Sequence, residues 1–255
     1  MSLQSIAIIG EKSRTNELRT KFERNDRIQQ IALLSYEDRS LYDLKSFDLV
    51  IDTYEGEHII ERLKSIESNL LPQTILAAFS VYRSTSEILQ HLNNPSRFIG
   101  LHFFRLAHQT DLVEIIQPEI DTNNEFPTIV STFLEKAQFV PVTVKDRPGL
   151  LANRLLIPYL NQAAQVFDDN IATGIDIDNS VKLGLGYPIG PLQLLDDIGI
   201  DQYISSAQAI YHEIPETKYT VPPILNRMQE VRLHGRKTGR GFYQYKENKQ
   251  YEPQK

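Results

Sequence analysis

An α/β domain built on a doubly wound sheet, followed by an all-α domain, is the architecture this sequence predicts. Three observations predict it. Short, β-branched apolar runs alternate with amphipathic segments over residues 6–144; the first run, Ile6 to Ile9, is closed by Gly10; and beyond Pro148 helical periodicity dominates and strand-like runs disappear.

The run IAIIG at 6–10 is uniformly apolar, as a strand buried on both faces of a parallel sheet must be. Residues 13–24 set Leu18 and Phe22 at i, i+4 among charged neighbours, which predicts an amphipathic helix with Ser13 as its N-cap. IALLS at 31–35 is the second strand; after a helical or turn segment around Leu41 to Leu44, FDLVIDTY at 47–54 is the third. The alternation continues with a helix over 57–70, a strand at 74–79 and a helix at 84–91. Strands FIGLHFF (98–104) and DLVEII (111–116) follow, then a helix near 126–136 and a strand near 139–144. Strand, helix, strand repeated in this way is a Rossmann-like sheet. The charged stretch Lys145 to Gly149 contains Pro148 and breaks the apolar pattern, so two domains are expected, 1–146 and 147–255.

The helical part opens with LLANRLLIPYLNQAAQVF at 150–167, where Asn153, Leu156, Ile157, Leu160, Ala164 and Phe167 share one face. Asn153 therefore points with core residues. Pro158 has no N–H to give the carbonyl of Arg154, so a kink is expected there. A short helix from Asp176, a turn through Gly184, Gly186 and Pro188, and a helix from Pro191 to Ile198 stopped by Gly199 come next. Two further helices are expected near 201–212 and 222–233.

Composition narrows the function classes. A chain of 255 residues, 41% hydrophobic and 24% charged, is that of an ordinary globular protein. The net charge is −6 with basic residues spread along the chain, which gives no electrostatic footprint for nucleic acid. The chain has no cysteine, so thiolate catalysis, disulfides and cysteine metal sites are excluded, in keeping with a reducing cytoplasm. The first apolar run starts too early to leave room for a secretory leader, and no segment approaches the ~20 apolar residues of a membrane span.

Several residues are candidates for chemistry. Gly10 closes a strand before a helix, as the first glycine of a dinucleotide fingerprint does, but Lys12 and Thr15 stand where the second and third glycines belong. Their side chains are expected to crowd a pyrophosphate, although Lys12 offers it a charge. Ser35 takes the place of the acidic residue that holds a ribose at the end of the second strand, with Glu37 and Asp38 just beyond. Taken alone, this loop favours a Rossmann-like sheet without a dinucleotide. His102 and Glu114 lie in neighbouring apolar strands, where a carboxylate is costly unless paired, and an imidazole is its natural partner. Such a pair is either a satisfied core contact or a general base with its orienting acid. Asn153 is either a backbone-satisfying amide or a hydrogen bond offered to a ligand. In HGRKTGRGFYQY (234–245), Gly235 is expected to cap a helix, with Arg236, Lys237 and Arg240 at the negative end of its dipole.

Taken together, these segments resemble a known family. RPGLLANRLLIPYLNQA (147–163), DIDNSVKLGLGYPIGPLQLLDDIGID (176–201) and GRKTGRGFYQY (235–245) are similar to the helical domain of 3-hydroxyacyl-CoA and 3-hydroxybutyryl-CoA dehydrogenases. NPSRFIGLHFF (94–104), DLVEII (111–116) and FDLVID (47–52) resemble segments of the family's nucleotide domain, whereas 11–46 and 53–93 match loosely. The resemblance implies NAD-linked oxidation of a 3-hydroxyacyl-CoA to a 3-ketoacyl-CoA. It implies a nucleotide-binding domain over 1–146, a substrate and dimerisation domain over 147–255, and a homodimer. By the same resemblance His102 is the catalytic histidine, Glu114 its partner and Asn153 the active-site asparagine, while Gly10, Lys12 and Ser35 are the cofactor-binding candidates that the fingerprint reading offers.

The departures are specific. A substrate-holding serine of the family aligns with Val81, next to Ser80, and the asparagine after the family's HFF is Arg105 here. The stretch before FDLVID is too short for the helical insert that grips coenzyme A. Two readings follow: an active dehydrogenase with a divergent nucleotide site, or a non-catalytic relative that keeps the fold and dimer and binds an acyl-CoA or another nucleotide.

Overall fold

The computed structural model describes residues 3–35, 44–54, 56, 58–80, 84–104, 110–118 and 125–245, and the backbone of 251–253. The chain divides into two compact units: one of residues up to Phe104 together with Asp111–Leu150, the other from Leu151 onward.

The first unit is a seven-stranded sheet in the order β2-β1-β3-β4-β5-β6-β7. Its strands are β1 (Ser5–Ile9), β2 (Gln30–Leu34), β3 (Leu49–Asp52), β4 (Ile75–Phe79), β5 (Phe98–Phe103), β6 (Leu112–Gln117) and β7 (Val140–Lys145). The first five run parallel; β6 is antiparallel to β5 and β7 parallel to β6. Helices α1 (Lys12–Phe22), α2 (Ile59–Glu67), α3 (Thr85–Leu89) and α4 (Phe126–Lys136) complete it. Its inner strands β1, β3, β4 and β5 are buried on both faces, which is why they read as largely apolar runs. On one face Ile6, Ile8, Ile51, Ala77 and Leu101 pack with Phe22 of α1 and Phe133 of α4; on the other Ala7, Ile9, Val50 and Ala78 pack with Leu63 of α2 and Ile88 of α3. Winding reverses between β1 and β3, so the carboxyl ends of these strands form the crevice in which such sheets bind ligands.

Local differences from expectation have local causes. Helix α1 starts at Lys12 with Glu11, not Ser13, as N-cap. Gly10 N still donates to Leu34 O at 2.9 Å, so the chain leaves the sheet at Glu11 and turns into the helix there. Helix α2 is shorter than 57–70 because the Ser68 hydroxyl and Asn69 amide both bond Ser65 O and close its last turn. Of the segment expected around Leu41 to Leu44, only Leu44 is among the described residues.

The second unit holds α5 (Ala152–Asp168), α6 (Gly174–Gly184), α7 (Pro191–Ile198), α8 (Ile200–Glu213) and α9 (Pro223–Glu230). Its core gathers Ile157, Leu160, Leu195, Tyr203, Ile204 and Leu225. The unit is not purely helical, since β8 (Tyr243–Tyr245) and β9 (Tyr251–Pro253) pair as an antiparallel ribbon. On α5 the buried amide is Asn161: its Nδ2 donates to Lys218 O at 3.0 Å and its Oδ1 accepts from the Tyr203 hydroxyl at 2.8 Å.

The glycines of the 234–245 segment have a different purpose from the one the sequence suggests. Helix α9 ends at Glu230 with Val231 as its cap, so Gly235 does not close it; Gly235 precedes a one-turn 3-10 helix at Arg236–Thr238. Instead the segment wraps around Asp196 at the end of α7. A Cβ at Gly235 would lie 2.3 Å from Asp196 O and one at Gly241 1.9 Å from Asp196 Oδ1, so only glycine permits the approach. The buried Asp196 carboxylate accepts the Phe242 and Tyr243 amides and the Tyr245 hydroxyl, each at 2.9 Å. At the other end of α7, Asp178 accepts the Leu192 and Gln193 amides at 2.8 and 3.0 Å and the Tyr243 hydroxyl at 2.7 Å. Tyr243 thus ties both ends of α7 together. The basic residues pair with carboxylates: Arg236 with Asp197 at 2.7 Å and Lys237 with Asp201 at 2.6 Å.

Burial pushes the Asp196 carboxyl up to about 6, against the pull of its three donors. The folded chain therefore holds this proton more tightly than the unfolded chain, whose aspartates titrate near ~3.9. The contribution to stability is full below about pH 4 and falls as pH rises through about 6, by roughly 1.4 kcal/mol per pH unit. Asp196→Asn cannot titrate. Urea denaturation of both proteins at pH 4 and pH 7 should show wild type losing about 2–3 kcal/mol more than the variant between the two; equal losses would refute the assignment.

Candidate functional site

The β5–β6 register places His102 directly opposite Glu114. His102 Nδ1 and Glu114 Oε2 lie 2.5 Å apart, with His102 8% and Glu114 1% exposed. Alternation along β5 explains the placement: Leu101 and Phe103 enter one core layer, so Gly100 and His102 face the other way. Phe104 sets its ring edge-on to the imidazole at 5.9 Å. With the carboxylate as acceptor, Nδ1 is the protonated nitrogen and Nε2 carries the lone pair. An imidazole so held can take a proton through Nε2, and the carboxylate stabilises the cation that forms.

Ser80 completes a row. Phe79 pairs with Leu101 in the parallel β4–β5 register, and Ser80 N donates to Leu101 O at 3.3 Å, so Ser80 stands beside His102. Registered residues of adjacent strands share a face, which aligns Ser80, His102 and Glu114 across β4, β5 and β6. Ser80 is buried, and its Oγ accepts from Thr85 Oγ1 at 3.3 Å.

The loop between β1 and α1 forms the other end of this sheet edge. A Cβ at Gly10 would sit 1.9 Å from Thr53 Oγ1, so the first fingerprint glycine is retained for want of space. Thr15 is buried against the sheet, with its hydroxyl on Lys12 O at 3.3 Å and its methyl 3.3 Å from where a Gly10 Cβ would sit. Lys12 is exposed at the first turn of α1. The N-cap Glu11 makes no side-chain cap bond, so the first-turn amides are not consumed by it. Arg14 Nη1 donates to Thr53 O at 2.7 Å, and its guanidinium lies 5.4 Å from the Phe79 ring centroid. Ser35 is exposed just past Leu34, the partner of Gly10. Amide donors at a helix N-terminus with Lys12 beside them fit a diphosphate, and the Ser35 hydroxyl fits a ribose.

Asn153 lies half-buried in the first turn of α5, in the second unit. Glu37, Asp38, Val81 and Arg105 lie outside the described residues. Sequence reasoning missed Thr85, Asp146, Arg14 and Thr53. Only Gly100 signalled one of them, because a glycine inside a strand marks a close approach, and here a Cβ would meet Thr85 Oγ1 at 2.3 Å. Among the described residues no three His, Cys, Asp or Glu side chains gather as a metal site, and no helix is long and apolar enough to cross a membrane.

Comparison with known proteins agrees with this geometry. The model of the 3-hydroxyacyl-CoA dehydrogenase NAD binding domain matches residues 5–147, and that of the same enzymes' C-terminal domain matches 149–245. A 3-hydroxybutyryl-CoA dehydrogenase from Clostridioides difficile is 36% identical over 207 residues, covering 80% of this chain and 73% of that protein. A probable 3-hydroxybutyryl-CoA dehydrogenase from Bacillus subtilis is 32% identical over 231 residues, covering 90% and 79%. Among solved structures, an (S)-3-hydroxybutyryl-CoA dehydrogenase from Ralstonia eutropha superposes with a TM-score of 0.86 at 26% identity, over 96% of this chain and 100% of that one. With both domain models matched in order along the chain, and the histidine and glutamate facing each other across β5 and β6, the protein belongs to the 3-hydroxyacyl-CoA dehydrogenase family.

Proposed function

We propose that this chain oxidises a 3-hydroxyacyl-CoA to the 3-ketoacyl-CoA with NAD, and that His102 is the general base. The observation that carries the proposal is the buried His102–Glu114 pair at 2.5 Å in a chain that keeps both domains of the family. His102 Nε2 takes the proton of the substrate's 3-hydroxyl while Glu114 holds Nδ1–H and stabilises the imidazolium. NAD, when bound, supplies the acceptor for the hydride leaving C3. The α1 amides, Lys12 and Gly10 hold its diphosphate side and Ser35 its ribose. Ser80 and Arg105 contact the substrate, and Asn153 gives it a hydrogen bond. Only Ser35–Asp48 separate β2 from β3, so coenzyme A is gripped without the family's helical insert.

The second unit is proposed to pair two chains about a two-fold axis, in the cytoplasm. Leu155, Leu183 and Leu185 are 68, 84 and 65% exposed on α5 and at the end of α6, and such apolar side chains call for a partner. Light scattering at micromolar concentration should give twice the chain mass; a monomeric mass would remove the dimer.

His102→Ala should lower the rate of NADH formation from a 3-hydroxyacyl-CoA by ~10²–10⁴-fold, the usual contribution of a general base. Glu114→Gln should cost less activity, and Glu114→Ala should destabilise the fold by about 1–3 kcal/mol by leaving a buried imidazole nitrogen unpaired. Wild-type protein that forms no NADH with any 3-hydroxyacyl-CoA from short to long chain would make the pair an inherited core contact and the chain a non-catalytic relative.

A further inference from the structure

Arg14 lies on the route that a dinucleotide must take across this sheet. The first-turn amides of α1 fit the diphosphate and Ser35, just past β2, fits the ribose beyond it, whereas the base is His102 on β5. The strand order β2-β1-β3-β4-β5 separates those places. Gly10 N donates to Leu34 O on the β2 side and Thr53 N to Ile9 O on the β3 side, each at 2.9 Å, so the ends of β2 and β3 flank the end of β1. A nicotinamide that starts from α1 therefore reaches β5 only over the carboxyl ends of β3 and β4, strands spaced roughly 4.8 Å apart. Arg14 is anchored at those two ends. It is the third residue of α1 and lies one turn before Leu18, which packs in the same core layer as Phe79. Its Nη1 donates to Thr53 O at 2.7 Å, and its guanidinium sits 5.4 Å from the ring centroid of Phe79, the last residue of β4. Thr53 is itself tied to β1, since its hydroxyl donates to Ile9 O at 3.0 Å.

We infer that Arg14 is a built-in competitor of NAD: its guanidinium occupies the stretch of crevice that the nicotinamide half crosses, and the cofactor binds only with that side chain displaced from Thr53 and Phe79. A charge-assisted hydrogen bond and a cation–π contact both hold it there, so displacement has a cost that cofactor binding must meet. The adenosine half is not contested, because Ser35 and the α1 amides lie on the β2 and β1 side of the crevice. Arg14 thus sets affinity for the whole dinucleotide and leaves affinity for its adenosine diphosphate part alone. An arginine near a diphosphate could also attract it, and the anchor decides between the two effects. A guanidinium held by a carbonyl at the end of β3 and a ring at the end of β4 stands toward the nicotinamide side, not beside the first-turn amides. The inference rests on the reading of NAD as the cofactor held at the start of α1.

Calorimetric titration of the full chain with NAD and, separately, with ADP tests it. Arg14→Met keeps an apolar chain over Phe79 but removes the charge and the donors. It should bind NAD about tenfold more tightly than wild type, the factor set by one hydrogen bond to a charged group that no longer has to be broken. Arg14→Ala should act in the same direction, and ADP, which stops at the diphosphate, should bind both variants as it binds wild type. NAD binding no tighter in either variant than in wild type would overturn the inference, and weaker binding of NAD and ADP together would make Arg14 a phosphate ligand instead. Either result leaves the dehydrogenase reading standing, because that reading is judged by NADH formation in the wild-type protein. Failure of wild type and both variants to bind NAD would remove the cofactor site and the inference with it.

Discussion

The contact between His102 and Glu114 is the interaction on which the site depends, and it constrains the sheet around it. A carboxylate 1% exposed between apolar strands is tolerable only with a strong partner in place. Antiparallel pairing of β5 and β6 provides one, because residues directly opposite bring their side chains together on one face. A slip of one residue would send Glu114 to the other face, and a slip of two would set Leu112 or Ile116 against the imidazole. The parallel β6–β7 ladder holds the register from the far side, six residues long from Leu112 to Gln117. That same ladder delivers Asp146 to the start of α3, where it accepts the Thr85 and Ser86 amides.

The nucleotide end of the sheet shows how a fingerprint can lose letters without losing its geometry. Gly10 remains because Thr53 leaves no room for a side chain there. Thr15 is absorbed into the packing of α1 on the sheet, where its methyl is accommodated 3.3 Å from the position a Gly10 Cβ would take. Arg14 bridges from the helix to Thr53 O and lies over Phe79, tying the loop to the ends of β3 and β4.

Legibility in the sequence followed the physics of each element. The inner strands β1, β3, β4 and β5 were readable because they are buried on both faces and appear as largely apolar runs, and α7 because Pro191 stands at its start. Boundaries set by hydrogen bonds between distant residues were not readable: the N-cap at Glu11 depends on Leu34, 23 positions away by subtraction, through the Gly10 amide. Gly235 looked like a helix cap, whereas it and Gly241 make room for an aspartate at 196 that no local pattern connects to them. His102 and Glu114 stood out as costly residues in apolar strands. Thr85 and Asp146 carried no such signal, because the amides and hydroxyls they meet are brought to them only by the fold.

The central claim is that Glu114 fixes Nδ1–H of His102 and leaves Nε2 as the base, and the tautomer of that one ring tests it most directly. In histidine-labelled protein at pH 8, ¹⁵N spectra assigned with His102→Gln should show the His102 ring protonated at Nδ1 and bare at Nε2. Glu114→Gln should weaken that preference. A ring protonated at Nε2 in the wild-type protein would contradict the account, since the nitrogen offered to the substrate would then have no lone pair to accept its proton.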